Sequence, residues 1–187
     1  MVILARVAKW KIKRIMVDIG SSVDILFNHC YEKIKHKLEP RLRPYDHDLY
    51  GFDGKLVKPR GIIKLPVELG DGDNYITRDI EFLVVDCWSP YNAIFDRTTQ
   101  VVFEMTILMP YLKIKFPTPN GIAVCIEDQK AVRDAYLEAL RGDRVCVVDS
   151  EMGSRLGYDS RPEEATEEIM RGGNSEHTTR IGSSLSP

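Results

Sequence analysis

In a chain of 187 residues, the types and spacing best suited to chemistry lie in the stretch "IMVDIGSSVDILF", residues 15 to 27. An apolar run breaks at Asp18, passes Ile19, Gly20, Ser21 and Ser22, and turns apolar again. An Asp-x-Gly turn between two β-prone runs sits in partly desolvated surroundings. Gly20 lets the backbone return close to the carboxylate, and the two serines offer hydroxyl donors. One such carboxylate is ordinary turn chemistry. Two brought together cannot both ionise easily, so they share a proton. The charged member then takes a proton from a water attacking a peptide carbonyl, while the protonated member donates to the carbonyl oxygen. The pattern occurs once and the sequence has no internal repeat, so a chain using this chemistry must supply the second carboxylate from a second copy of itself.

Other candidates carry less. His29 and His36 lie seven residues apart on one expected helix, with no third ligand nearby, and read as surface histidines; no metal is expected. The segment "KWKIKR" (Lys9 to Arg14) sets a tryptophan among cations, as single-strand nucleic-acid binders do, but a lone exposed hairpin turn explains it as well. The net charge of −2 gives no reason to expect nucleic acid as a partner. Charge is nonetheless uneven: residues 1–70 hold 14 Lys and Arg against 8 Asp and Glu, and the remainder hold 12 against 20. Four scattered cysteines form neither a disulfide framework nor a zinc signature. No signal-peptide pattern and no apolar run near the ~18 residues of a membrane span occurs, so an intracellular, cytoplasmic setting away from membranes is expected.

The elements that must position Asp18 are mostly strands. Val2, Leu4 and Val7, then Ile12, Ile15 and Val17, read as a hairpin with a basic turn at Lys9 to Lys13. "NHCYEKIKHKL" reads as a helix capped by Asn28 and ended by Pro40. Short strands follow in "HDLYGF", "GIIKLPVEL", "DIEFLVVD", "NAIF" and "YLKIKF", with turns at Phe52 to Lys55 and Gly70 to Asn74. The stretch from Arg97 to Pro110 carries no clear pattern. The segment 128–142 is the clearest helix, with Val132, Ala135, Tyr136, Ala139 and Leu140 as an expected core-facing stripe and Gly142 as its stop. From Asp149 onward there is almost nothing to bury. Ordering costs ~1–2 kcal/mol per residue, so that stretch is expected to be disordered.

The blocks "RIMVDIGSSVDILF", "LYGFDGKLVKPRGIIKLPVELGD", "FLVVDCWSPYNAIFDR" and "YLKIKFPTPNGIAVCIEDQKAVRDAYLEALR" together resemble, in order and spacing, the retropepsin-like aspartic protease domain of plant gypsy-type retrotransposon polyproteins. The resemblance covers residues 3 to 141. It implies a mainly β fold: a small closed acid-protease barrel with one or two short helices and a C-terminal helix, active as a homodimer on peptide or polyprotein substrates without a cofactor. Under it, Asp18 matches the catalytic aspartate, with Ile19, Gly20 and Ser21 completing the catalytic loop. Gly51, Phe52, Gly54 and Gly61 belong to the flap over the substrate, Gly54 and Gly61 as its flexible points. Ile94, Phe95, Asp96 and Arg97 form the second loop motif.

Two positions depart from that pattern. Ile19 stands where the family has a threonine whose hydroxyl ties the two loops together, a bond worth ~1 kcal/mol. Asp96 stands where the family has glycine, adding a side chain and a negative charge near the site. The expected organisation is therefore a protease-like domain at 1–141 and a polar tail at 142–187. Two functions follow: a homodimeric aspartic endopeptidase, or a catalytically inactive relic of that fold serving dimerisation or peptide binding.

Overall fold

The computed structural model describes residues 1–38, 41–51, 54, 56–141, 148–149, 166–169 and 179–182. They fall into two compact units, Met1–Leu156 and Gly157–Pro187. The chain is mainly β, as the resemblance implies.

Strands β1 (Val2–Val7) and β2 (Trp10–Val17) form a hairpin. Its turn is Ala8–Lys9, both in the left-handed region at φ 46° and 76°, a two-residue turn whose twist matches the strands. The expected basic turn at Lys9 to Lys13 is therefore too long: Trp10 to Lys13 are already strand, with Trp10 and Ile12 facing inward. Opposite Leu4 the register slips, because Ile3 pairs with Ile15 but Ala5 pairs with Ile12. Arg14 sits in that bulge at φ 57°. The bulge resets the alternation, so that Ile15 and Val17 point into the core after Ile12.

After β3 (Ile25–Phe27) comes α1 (Asn28–Ile34), which buries Cys30 and Ile34 and tightens into a 3-10 turn at Lys35–Lys37. Asn28 does not cap it. Phe27 holds the capping position without a side-chain bond, and Asn28 accepts a hydrogen bond from Arg60. Pro40 lies outside the described residues. Short strands β4 (Leu49–Tyr50) and β5 (Leu56–Val57) pair antiparallel.

The long hairpin β6 (Pro59–Asp71) and β7 (Asn74–Val85) follows. Ile63, Leu65, Val67 and Leu69 point inward at every second position, with Lys64 and Pro66 outward. Gly70 is required near its turn: at φ +111° a Cβ would meet the Asn74 carbonyl at 2.2 Å.

Next come β8 (Ala93–Phe95), α2 (Arg97–Val102), β9 (Thr106–Leu108), β10 (Lys113–Thr118), β11 (Gly121–Ile126), α3 (Gln129–Arg141) and β12 (Val148–Asp149). The pairings β1–β6–β7–β3–β8–β2 return to β1, closing a six-stranded barrel, while β9, β10 and β11 form a separate sheet. Ile3, Ile12, Ile15, Leu26, Ile63, Leu65, Phe82 and Phe95 are fully buried in the core. Each such side chain contributes ~1.5–3 kcal/mol of burial against the entropy of ordering.

Helix α3 packs on β1 and β2. The Asp128 side chain caps it by accepting the Ala131 N–H at 2.9 Å. Of the expected core stripe, Ala135 is buried and Val132 partly so, while Tyr136, Ala139 and Leu140 face outward. Ala131 and Ala135 are buried, whereas Tyr136 and Leu140 are 64% and 67% exposed. A polar tie joins the helix to β2: the buried Arg14 guanidinium donates to Glu138.

The segment expected as a polar tail is described at three places, all strands. β12 pairs with Lys11 and Ile12 of β2. In the second unit β13 (Thr166–Ile169) pairs with β14 (Thr179–Gly182). No helix among the described residues is long and apolar enough to cross a membrane.

Candidate active site

The barrel brings the two loop motifs to one place. β8 runs parallel to β2, with Val17 opposite Phe95, and antiparallel to β3, with Ile25 opposite Ile94. The loop from Asp18 to Asp24 therefore passes from one neighbour of β8 to the other, around the strand's end. The Asp18 N–H donates to the Phe95 carbonyl at 3.0 Å. The catalytic-loop candidates and Ile94, Phe95 and Asp96, some 75 residues apart in sequence, are adjacent in space.

Asp18 is half-buried and accepts the Gly20 N–H through Oδ1 at 2.8 Å. A Cβ at position 20 would come within 3.2 Å of that oxygen, which is why glycine suits the place. The Ser21 hydroxyl is turned inward along the loop, donating to the Val23 carbonyl at 2.9 Å. Ile19 points to solvent and is 68% exposed. This is a carboxylate in fixed orientation on a short tight loop, open on one side, with an uncovered apolar side chain next to it.

The flap candidates separate. Gly51 and Gly54 form the tip of the β4–β5 hairpin, where the Gly54 N–H donates to the Gly51 carbonyl at 2.9 Å and Gly54 has φ +74°. Tyr50 and Leu56 are exposed on its stem. Phe52 lies outside the described residues. Gly61 is no flexible point: it is buried within β6 opposite Val84. At φ +151° its Cβ would lie 2.4 Å from the Arg43 carbonyl, so close packing rather than hinge motion requires glycine there.

Asp96 is the N-cap of α2, accepting the Thr99 N–H at 2.9 Å, and is 2% exposed. Its carboxyl is turned into the helix start. Arg97 is the first helical residue and exposed. The helix itself was illegible because Thr98, Thr99, Val101 and Val102 are β-branched and poor helix formers; Asp96 three residues before Thr99 was the available signal.

Sequence reasoning also passed over Asp24, taking "VDILF" as a strand start. It is 6% exposed, and its Oδ1 accepts the Asp96 N–H at 2.8 Å. Burial, and then the Asp96 carboxyl beside it, push Asp24 up to about 7, against the pull of the Asp96 N–H and the Thr99 hydroxyl. An acidic residue set into an apolar run was the signal. Asp24 and Asp96 line an open cleft of about 380 Å3 together with Ser22, Val23, Ile62 and Lys64.

The remaining candidates are absorbed by packing. His29 bonds Asn92 at 3.2 Å and stacks on Phe27, and burial holds its ring nitrogens below their usual basicity. His36 packs edge-on against Trp10, whose other neighbour is the Lys37 ammonium at 5.1 Å. Trp10, 9% exposed, presents no stacking platform for a base.

The class this defines is a closed six-stranded β-barrel with an aspartate loop at one end. No protein-family model and no curated protein matches the chain. Among solved structures it is similar to the retroviral protease-like domain of Ddi1 from Leishmania major: 15% identity over 69% of this chain and 95% of that one, TM-score 0.47. It is also similar to EIAV protease complexed with the inhibitor HBY-793: 17% identity over 58% of this chain and 91% of that one, TM-score 0.40.

Proposed function

We propose that the chain is a retropepsin-like aspartic endopeptidase domain, derived from a gypsy-type retrotransposon polyprotein, that works as a homodimer inside the cell. The observation that carries this reading is the Asp18 loop: a carboxylate fixed by the Gly20 N–H at the barrel end where β2, β8 and β3 meet, flanked by the 68% exposed Ile19. A two-fold pairing sets a surface patch against its own copy. It would cover Ile19 and bring two Asp18 carboxylates together, so that one keeps its proton. The charged one takes a proton from water as it attacks an extended peptide, and the other donates to the carbonyl oxygen. The β4–β5 hairpin, with Tyr50 and Leu56 outward, would close over the substrate. The chemistry calls for no metal or organic cofactor.

A second reading, a fold that pairs or holds peptides without cutting them, is favoured by Ile19, which lacks the hydroxyl that would tie the paired loops. Sedimentation of the purified chain followed by incubation with a peptide library, with and without an aspartic-protease inhibitor, separates the two. Inhibitor-sensitive cleavage by a dimer, abolished in Asp18→Asn, supports the endopeptidase. A dimer that cuts nothing, and gains cleavage on Ile19→Thr with Asp96→Gly, supports the second reading.

A further inference from the structure

The loop that carries Asp18 is fastened to the same turn at both ends. At its near end the Asp18 N–H donates to the Phe95 carbonyl at 3.0 Å. At its far end the Asp24 carboxyl accepts the Asp96 N–H at 2.8 Å, and the Asp24 carbonyl accepts the Leu83 N–H at 2.9 Å. The far fastening is unusual in kind, because it sets two carboxyl groups side by side in the barrel wall, 6% and 2% exposed. Each already has one oxygen on a backbone N–H, from Asp96 and Thr99, so that the Asp24 carboxyl sits on the backbone of the very residue that bears the other carboxyl.

We propose that Asp24 and Asp96 form a one-proton latch that positions the Asp18 loop. While a proton lies between the two carboxyls, Asp24 donates it to Asp96, and the far end of the loop is held to the turn that holds its near end. When that proton leaves, two buried anions face each other and the far fastening loosens. Asp24 is thereby a positioning residue, acting on Asp18 through the loop.

The surrounding charges do not replace the proton. β3 and β8 bring no ionisable side chain to the pair, and α2 brings only Arg97, which is exposed. From β6 and β7, Lys64, Asp79 and Glu81 line the neighbouring cleft with Tyr45. Lys64 is paired with Asp79 at 3.6 Å and Glu81 with Arg43 at 2.6 Å, and all four ions are more than half exposed, where water screens them. The elevated titration of Asp24, near neutrality, places the latch's opening within the range where the proposed peptidase would be assayed.

The latch rests on the proposed role of Asp18 only for its consequence in catalysis. Its own test needs no cleavage: carboxyl-carbon NMR of the full chain from about pH 4 to about pH 9, with amide hydrogen exchange of residues 19–23. The expected result is one aspartate titrating near pH 7. In step with it, exchange in the loop should quicken about tenfold beyond the intrinsic base-catalysed rise. Asp24→Asn removes the titration and leaves loop protection independent of pH, because a carboxamide both accepts the Asp96 N–H and donates to its carboxyl without ionising. Asp96→Asn, which keeps a good cap, should lower that titration without returning it to the ordinary carboxylate range, because burial, its largest cause, stays. No aspartate titrating above about pH 5, or loop protection flat through neutrality, overturns the latch. A latch that titrates in a chain that cuts no peptide upholds this inference and overturns the catalytic reading of Asp18.

Discussion

One buried ion pair ties α3 to β2, the strand that leads into Asp18, and Glu138→Gln tests it. Arg14, four residues before Asp18 on β2, is 3% exposed, and its guanidinium lies 2.5 Å from a Glu138 carboxylate that is itself 16% exposed. Arg14 lies in the bulge of β2 at φ 57°, and its guanidinium reaches Glu138 on the helix. Removing one partner of a fully buried pair costs ~3–5 kcal/mol, because the other charge stays buried. Glu138 keeps an edge toward solvent and glutamine keeps one acceptor oxygen, so about 2 kcal/mol is the expected loss. For a domain of this size that lowers the melting temperature by roughly 4–8 °C. Circular dichroism melts and urea titrations give the value. Arg14→Met with Glu138→Leu should recover most of the loss, since an apolar pair incurs no desolvation cost. The reasoning is refuted if Glu138→Gln stays within about 0.5 kcal/mol of the parent. It is refuted equally if the effect vanishes at about 1 M salt, as it would for a solvent-screened pair.

The stability that Asp24 contributes, read as the difference between the parent and Asp24→Asn, should fall as pH rises from about 4 to about 7 and then level. Asp24, normally at 3.8, titrates near 7 in the folded chain, so its contribution is complete below the lower value and lost through the upper. The span is on the order of 4 kcal/mol; urea midpoints of the two chains across that window check it, and a difference that climbs with pH contradicts it. Gly61→Ala, whose Cβ meets the Arg43 carbonyl at 2.4 Å, should cost more than ~2 kcal/mol, whereas Gly54→Ala, with open space around it, should cost ~1 for its positive φ alone; equal losses in paired melts would return Gly61 to a hinge role. Leu140→Ser should leave stability within ~0.5 kcal/mol, while Ala135→Leu should cost ~1–3 by overpacking the fully buried face of α3. The reverse order would restore the apolar stripe to the core.

Where local pattern decides structure, the sequence was readable. The segment "GIIKLPVEL" implied a short strand, and it lies within the longer β6, where Ile63, Leu65, Val67 and Leu69 alternate inward. Spacing of three and four residues implied the helix that became α3. Asp18 before Gly20 implied a tight loop, and the two are bonded in one. Where a residue's neighbours come from distant sequence, pattern pointed the wrong way. Tyr136 and Leu140 are large apolar residues at helical spacing in α3, so periodicity aimed them inward. Glu138 on the same helix is tied to a charge on β2, more than 120 positions earlier, and helical periodicity carries no information about a partner that far away. α2 was hidden for the converse reason: its β-branched residues disfavour helix locally, and a buried cap and tertiary packing override them.

The same division holds at the site. The sequence by itself determined that a carboxylate would stand on a glycine-supported loop, because that geometry needs only three consecutive residues. Only the tertiary structure decided that Asp24 and Asp96 are neighbours, since their meeting requires β3 and β8 to pair antiparallel across more than 70 intervening residues. The same closure put both acids out of water. Burial is what lifts Asp24 out of the ordinary carboxylate range, and burial belongs to the closed barrel as a whole rather than to any segment of its chain.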